Sequence, residues 1–418
     1  MKTENRRTKA ERIEKEKLGM EHYFDEFCVM ENPNPCRSGR LPYTEHDAET
    51  ALRFHRSLPG YQKTELVSLR HAAERFDVDS VFVKEEASRF GLKAFKGLGG
   101  SYCMFRILCE KLGLDETTAD YTTFLREDIR KACAQIEFVT ATDGNHGKGV
   151  SWAAGLFGCK AHVFMPGGSV EVRRQAIEDA GNAVAEITEM NYDETVQYAA
   201  FLAEKNGWIL IQDTSWEGYE RIPGWIIEGY LTMAAEAVGQ MDGKQPTHLF
   251  LQAGVGAMAG GIVSYFLSRG KGAEPVITIV EPREAACIYQ SVSAGDGKVH
   301  PVTGNPVTIM AGLNCGTPCG VVWPVMRDSA DRFCACDDSV TKDGMRAYAA
   351  PEKTDPKVIS GESGAVTYGL LRKILKSEQL RELFRIDCSS VILMINTEGD
   401  TDPDGYSTII QNREDGRE

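Results

Sequence analysis

The chain has 418 residues, 42% hydrophobic and 26% charged, enough for a large buried core and more than one lobe. A formal net charge of −14 argues against a nucleic-acid or anionic-membrane partner. No apolar run approaches the about 18 residues that a membrane span needs, so no membrane partner is expected.

The opening stretch, Met1 to Gly19, is charged and lacks the apolar centre of a secretory signal, so it reads as a surface arm. Twelve cysteines are scattered along the chain. None has the spacing of a structural zinc site; Cys315/Cys319 and Cys334/Cys336 are the nearest pairs. They read as free thiols, with no metal expected, and free thiols at this density suit a reducing cytoplasm.

Short apolar runs then alternate with helical stretches. The expected strands are Val81–Val83, Glu137–Thr140, His162–Met165, Ala183–Ile187, Trp208–Ile211, His248–Leu251, Val276–Val280, Arg332–Ala335 and Val391–Ile395. Most are continuously apolar, as in parallel strands covered on both faces. Helices fit between them, over Tyr192–Lys205 and Glu362–Lys376 for example. The alternation predicts an α/β fold with parallel sheets. No repeat and no Pro/Gly/Ser-rich linker marks a domain boundary.

Three turns carry the candidate chemistry. The first, Lys93 to Gly100, holds two lysines before a run of glycines. Lys96 follows an aromatic residue and precedes the glycines; on composition alone a lysine in such a turn is simply solvated. The second, Thr140-Ala141-Thr142-Asp143-Gly144-Asn145-His146-Gly147, lies between a strand and a helix, where α/β proteins hold anionic ligands. Asn145 there also reads as a helix cap, and Asp143 as a turn aspartate. The third, Gly254-Val255-Gly256-Ala257-Met258, follows an apolar strand and opens a helix, so its backbone N–H groups and helix dipole suit a phosphate dianion. It matches neither GxGxxG nor the GK[ST] ending of a nucleotide-triphosphate loop. Asp213, the other acidic candidate for the catalytic set beside Lys96 and Asp143, stands at the end of the strand around Trp208–Ile211, another place where such folds gather ligands.

Taken in this order, the three turns resemble those of the fold type II pyridoxal-phosphate family, which includes tryptophan synthase β and threonine dehydratase. The likeness covers roughly residues 60 to 405. Within that family, TDGNHG together with the Phe95-Lys96 turn is similar to the diaminopropionate ammonia-lyases. The resemblance implies two lobes with parallel sheets covered by helices and pyridoxal 5'-phosphate in the cleft between them. Its implied limits are 1–99 and 241–418 for the large lobe and 100–240 for the small one. It makes Lys96 the lysine that holds the cofactor, Asn145 the partner of the ring's phenolic oxygen and Gly254 to Met258 the phosphate cradle. Thr397, or Asn396 with a one-residue shift, would meet the ring nitrogen, and Glu362 would line the ring. Threonine dehydratases carry a small or hydroxyl residue where this chain has Asp143. A carboxylate there can take the α-proton from the face opposite Lys96, or pair with the second ammonium of a diamino acid. His146 is expected to brace its loop. The implied activity is elimination on D- or L-2,3-diaminopropionate through aminoacrylate to pyruvate and two ammonia, by a homodimer acting on a small amino acid. The alternatives are a serine or threonine dehydratase, a racemase, or a non-catalytic ligand-binding relative. The stretch at about 296–350 matches nothing in the resemblance.

Overall fold

The computed structural model describes residues 20–411 apart from Pro33, Asn34, Ser38 and Asn305; the charged N-terminal arm lies outside the described residues. The strands are β1 (Glu21–Tyr23), β2 (Phe27–Glu31), β3 (Leu66–Ser68), β4 (Ser80–Glu85), β5 (Glu137–Ala141), β6 (Lys160–Met165), β7 (Ala183–Ile187), β8 (Ile209–Leu210), β9 (His248–Gln252), β10 (Val276–Pro282), β11 (Arg332–Cys336) and β12 (Val391–Asn396). They form two sheets, of order β1-β2-β11-β10-β9-β12-β4-β3 and β7-β6-β5-β8.

All nine expected strands are present, β8 in shortened form. The small sheet is parallel throughout. In the large sheet β11, β10, β9, β12 and β4 are parallel. Its edges depart from the expectation: β2 runs antiparallel to β11, β1 to β2, and β3 to β4. Central strands such as β12, Val-Ile-Leu-Met-Ile-Asn, are buried at every position because helices cover both faces. The Tyr192–Asn206 helix starts where expected because Asn191 and Glu194 form a capping box. The other expected helix spans Glu362–Ile374.

Two features fix where the lysine turn sits. One is a fully buried ionic cluster: Lys84 Nζ lies 2.7 Å from Glu236 Oε2, and Arg89 Nη2 reaches Glu236 Oε2 at 2.8 Å and Glu86 Oε1 at 2.7 Å. Thr64 Oγ1 adds a bond to Glu86. Two cations and two carboxylates thus neutralise each other and bind the end of β4 to the Arg221–Gln240 helix. The other is the crossing of the Lys96–Leu112 and Asn145–Phe157 helices. A Cβ on Gly149 would stand 2.8 Å from the Lys96 carbonyl, so only glycine allows this approach.

Candidate active site

Parallel strands end on the same side of a sheet, and here the carboxyl ends of both sheets face one cleft. Into it run the turns after β4, β5, β8, β9 and β12. Its open mouth included, the cleft spans ≈ 1180 Å³, room for a cofactor and a small amino acid. Of the residues picked out in the sequence, Lys96, Asp143, Asn145, Asp213, Gly254, Val255, Gly256, Ala257, Met258, Glu362 and Thr397 all line it. Lys93 and Asn396 do not. Lys93 points outward to Asp400 at 2.9 Å, with nearly half its side chain exposed. The Asn396 amide donates instead to Glu85 and to the Ile359 carbonyl. Of the two candidates, Thr397 faces the cleft and Asn396 does not.

Lys96 opens its helix, and the turn before it is stitched to the segment after β12. Phe95 N donates to the Thr397 carbonyl at 3.2 Å, and Gly399 N to the Lys93 carbonyl at 2.9 Å. The Lys96 Nζ sits 2.5 Å from Asp213 Oδ2 and over the rings of Phe95 and Tyr230. Burial alone would favour the neutral amine, but the Asp213 charge outweighs it and holds Lys96 above the usual lysine range. Burial likewise opposes ionisation of Asp213, yet His146 and Lys96 bring that carboxyl down to about 2.

Asp143 is different. Burial raises it to about 7; the Arg173 guanidinium opposes the rise and the Asp213 charge adds to it. Among the described residues Arg173 has no carboxylate within ion-pair distance, although it lines the same cleft. Burial and the neighbouring Glu398 raise Glu362 to about 7 as well. Asp213 is thus held low while Asp143 and Glu362, in the same cleft, are both raised to about 7.

The loop after β5 is shaped by Thr142, whose Oγ1 accepts from the N–H groups of Gly144 at 3.0 Å and Gly147 at 3.1 Å. Asn145 Nδ2 donates to Glu398 Oε2 at 2.6 Å. The loop after β9 turns at Gly256, where φ is +85°, and leads into the Ala257–Ser268 helix. A Cβ at Gly256 would meet Met326 Cε at 2.4 Å. Bare backbone and a helix N-terminus at one spot are what a phosphate requires. Behind it, Gln252 Nε2 donates to Thr397 Oγ1 at 3.0 Å. The Thr397 hydroxyl already accepts, so its own hydrogen is free to donate to a ring nitrogen. Lysine, phosphate cradle and hydroxyl donor thus fit pyridoxal phosphate.

Three contributors went unassigned in the sequence. Glu398 anchors Asn145 and also accepts from Ser363 N at 2.9 Å. His146, set aside as a brace, does brace through Nε2 to the Ile211 carbonyl at 2.8 Å, but its Nδ1 lies 3.7 Å from Asp213. Ala311, Gly312, Leu313 and Cys315, from the unmatched stretch, line the cleft. That stretch is pinned where Cys319 N donates to the Val255 carbonyl at 2.7 Å. A glutamate after a strand gave a faint signal for the first; a loop without periodicity gave none for the last.

A family model described as pyridoxal-phosphate dependent enzyme matches residues 58–397. Diaminopropionate ammonia-lyase of Salmonella typhimurium is 45% identical over 368 residues, 86% of this chain and 91% of that protein. A crystal structure of the Escherichia coli diaminopropionate ammonia-lyase in complex with D-serine superimposes with a TM-score of 0.85 at 41% identity, covering 92% of this chain and 97% of that one. Another, of the same enzyme with an aminoacrylate-PLP azomethine reaction intermediate, gives 0.85 at 41% identity over 93% and 98%. With the site built from the residues that the family's chemistry needs, the chain belongs to the pyridoxal-phosphate dependent enzymes and, within them, to the diaminopropionate ammonia-lyases.

Proposed function

We propose that this protein eliminates ammonia from 2,3-diaminopropionate, D, L or both, and yields pyruvate and two ammonia with pyridoxal phosphate as cofactor. The observation that carries the reading is a carboxylate, Asp143, in the same cleft as Lys96 in a chain this close to diaminopropionate ammonia-lyases. Lys96 would hold the cofactor, Gly254 to Met258 its phosphate, Thr397 its ring nitrogen and Asn145 its ring oxygen, with Glu362 along the ring edge. When bound, pyridoxal phosphate draws electrons from the substrate's α-carbon and makes its proton removable.

The chain's own groups do the rest. Lys96 Nζ takes the α-proton of one enantiomer and Asp143 that of the other. The β-amine must leave as neutral ammonia, so it departs protonated, with Lys96 or a cleft carboxylate as donor. A hydroxyl donor at the ring nitrogen leaves that nitrogen largely unprotonated, which favours elimination over transamination. Released aminoacrylate reacts with water and gives pyruvate and the second ammonia.

The lobes are taken as 1–99 with 241–418, and 100–240; in support, every small-sheet strand falls within the second range. A cytoplasmic homodimer is part of the reading. Buried thiols such as Cys334 and Cys336 suit a reducing compartment. Sedimentation equilibrium tests the dimer. Pyruvate release from D- and L-diaminopropionate, D- and L-serine and threonine tests the activity. Turnover of serine or threonine above diaminopropionate would replace the reading with a dehydratase.

A further inference from the structure

The Lys96–Asp213 pair continues into His146. The Asp213 oxygen that accepts from Lys96 is the one 3.7 Å from His146 Nδ1. His146 is only 4% exposed. Its Nε2 faces the Ile211 carbonyl, and a carbonyl can only accept. Nε2 therefore carries the hydrogen, and the neutral ring turns a bare lone pair outward at Nδ1. That nitrogen is buried and has no hydrogen-bond partner among the described residues. Buried polar atoms are rarely left so, and this one faces the carboxylate that holds the cofactor lysine.

We propose that Asp213 and His146 form a proton store behind Lys96: Asp213 keeps Lys96 as an ammonium, and His146 Nδ1 receives the proton when Lys96 must act as a neutral amine. Both are positioning residues that act through Lys96, and the inference rests on Lys96 being the cofactor's lysine. One proton leaves Nζ and one arrives at Nδ1, with Asp213 Oδ2 facing both atoms. No electrons change hands. The trio goes from ammonium, carboxylate and neutral imidazole to amine, carboxylate and imidazolium. Its net charge is constant, so no unpaired charge is created in a buried site.

At rest the electrostatics keep the proton on Lys96, which Asp213 holds high while His146 is held low. Burial lowers the His146 pKa, the Asp213 charge raises it and the Lys96 charge lowers it again. Moving the charge off Lys96 removes one of the two depressing influences. The other groups that face the trio are Tyr230, Tyr192, Tyr219, Cys315, Cys319 and Asp143. Burial raises all three tyrosines and both thiols, so at neutral pH they keep their protons and can take no more. Asp143, near 7, is the rival acceptor.

Stopped-flow mixing of cofactor-free protein with pyridoxal phosphate, followed by its visible band across pH, tests this without any substrate. Asp213→Asn should move the capture profile to lower pH by about one unit or more, a tenfold gain at the acidic limb. His146→Gln should slow capture about tenfold at neutral pH, the effect of a lost proton acceptor, and recover at alkaline pH. Nitrogen NMR should show the His146 ring charged in the loaded wild type and neutral in the cofactor-free protein. Variant profiles that only scale the wild-type curve, or a ring in one state throughout, would overturn the proposal. So would an Asp143→Asn profile that reproduces that of His146→Gln. A borohydride-fixed adduct that persists in Lys96→Ala would instead remove the lysine assignment itself.

Discussion

Asn145 Nδ2 and Glu398 Oε2, 2.6 Å apart, join the helix that follows the small sheet's β5 to the segment that follows the large sheet's β12. The same carboxylate accepts from Ser363 N, so one side chain fixes three pieces of the cleft wall. Glu398→Ala should loosen Asn145 and lower stability by about 1.5–3 kcal/mol, the worth of hydrogen bonds to a charged group. Thermal unfolding and a cofactor titration check it; a variant matching the wild type in both would leave Glu398 a bystander.

Lys96→Ala is expected to abolish turnover and covalent cofactor attachment. Lys93→Ala should keep both, since its exposed pair with Asp400 contributes only about 0–1 kcal/mol. Mass spectrometry after borohydride treatment locates the modified lysine.

Asp143 should separate the enantiomers. As the base for one of them it must be ionised, so kcat/KM for that enantiomer should rise with pH through about 7 and fall away below it. Asp143→Asn should cost ~10²–10⁴-fold on D-diaminopropionate, remove that limb, and cost less on the L-form. Equal large losses would favour pairing with the second ammonium, and equal small ones a turn residue.

The phosphate cradle is tested at Gly256. Gly256→Asp sets a carboxylate beside the phosphate, at a cost of about 3 kcal/mol or more, which is roughly a hundredfold in cofactor Kd. Gly256→Ala, which meets the side-chain ends of Met326 and Ile288 and the strain of a positive φ, should lose less. Unchanged affinity in the aspartate variant would place the phosphate elsewhere.

Glu236→Ala would strand Lys84 and Arg89 without their shared carboxylate. Breaking such a buried pair costs about 3–5 kcal/mol, read as a drop in Tm. Burial works against ionised Glu236, but Arg89 and Lys84 bring it down to about 2. A depressed carboxylate stabilises the fold above the ordinary glutamate range, and that contribution fades as pH falls from there toward 2. Acid unfolding of the wild type should show this loss, and the variant should not.

Lys96, Asp143, Asn145 and the Gly256 turn were legible because each sits at a strand-to-helix junction, where residue type and backbone requirement coincide. Thr397 was legible to within one position: the pleat turns Asn396 toward Glu85 and Thr397 toward Gln252 and the cleft. β1, β2 and β3 were not legible. They are three to five residues long, β1 and β3 at the two edges of the sheet and β2 next to one, too short for a period to show. Glu398, Ala311, Gly312, Leu313 and Cys315 reach the cleft through tertiary placement alone. The second role proposed for His146 depends on which of its nitrogens meets a carbonyl, and no string of residues encodes that.

The place where Gly149 lies against the Lys96 carbonyl has a mechanical consequence. Backbone meets backbone there with no side chain between, so the two helices can rotate about the contact but cannot be squeezed closer. The crossing acts as a fulcrum, with Lys96 and Asn145 within about one helical turn of it along their helices. Any breathing about this crossing would move Lys96 and Asn145, the site residues nearest it, least. A cleft that opened about this point would widen while Lys96 and Asn145 stayed nearly still.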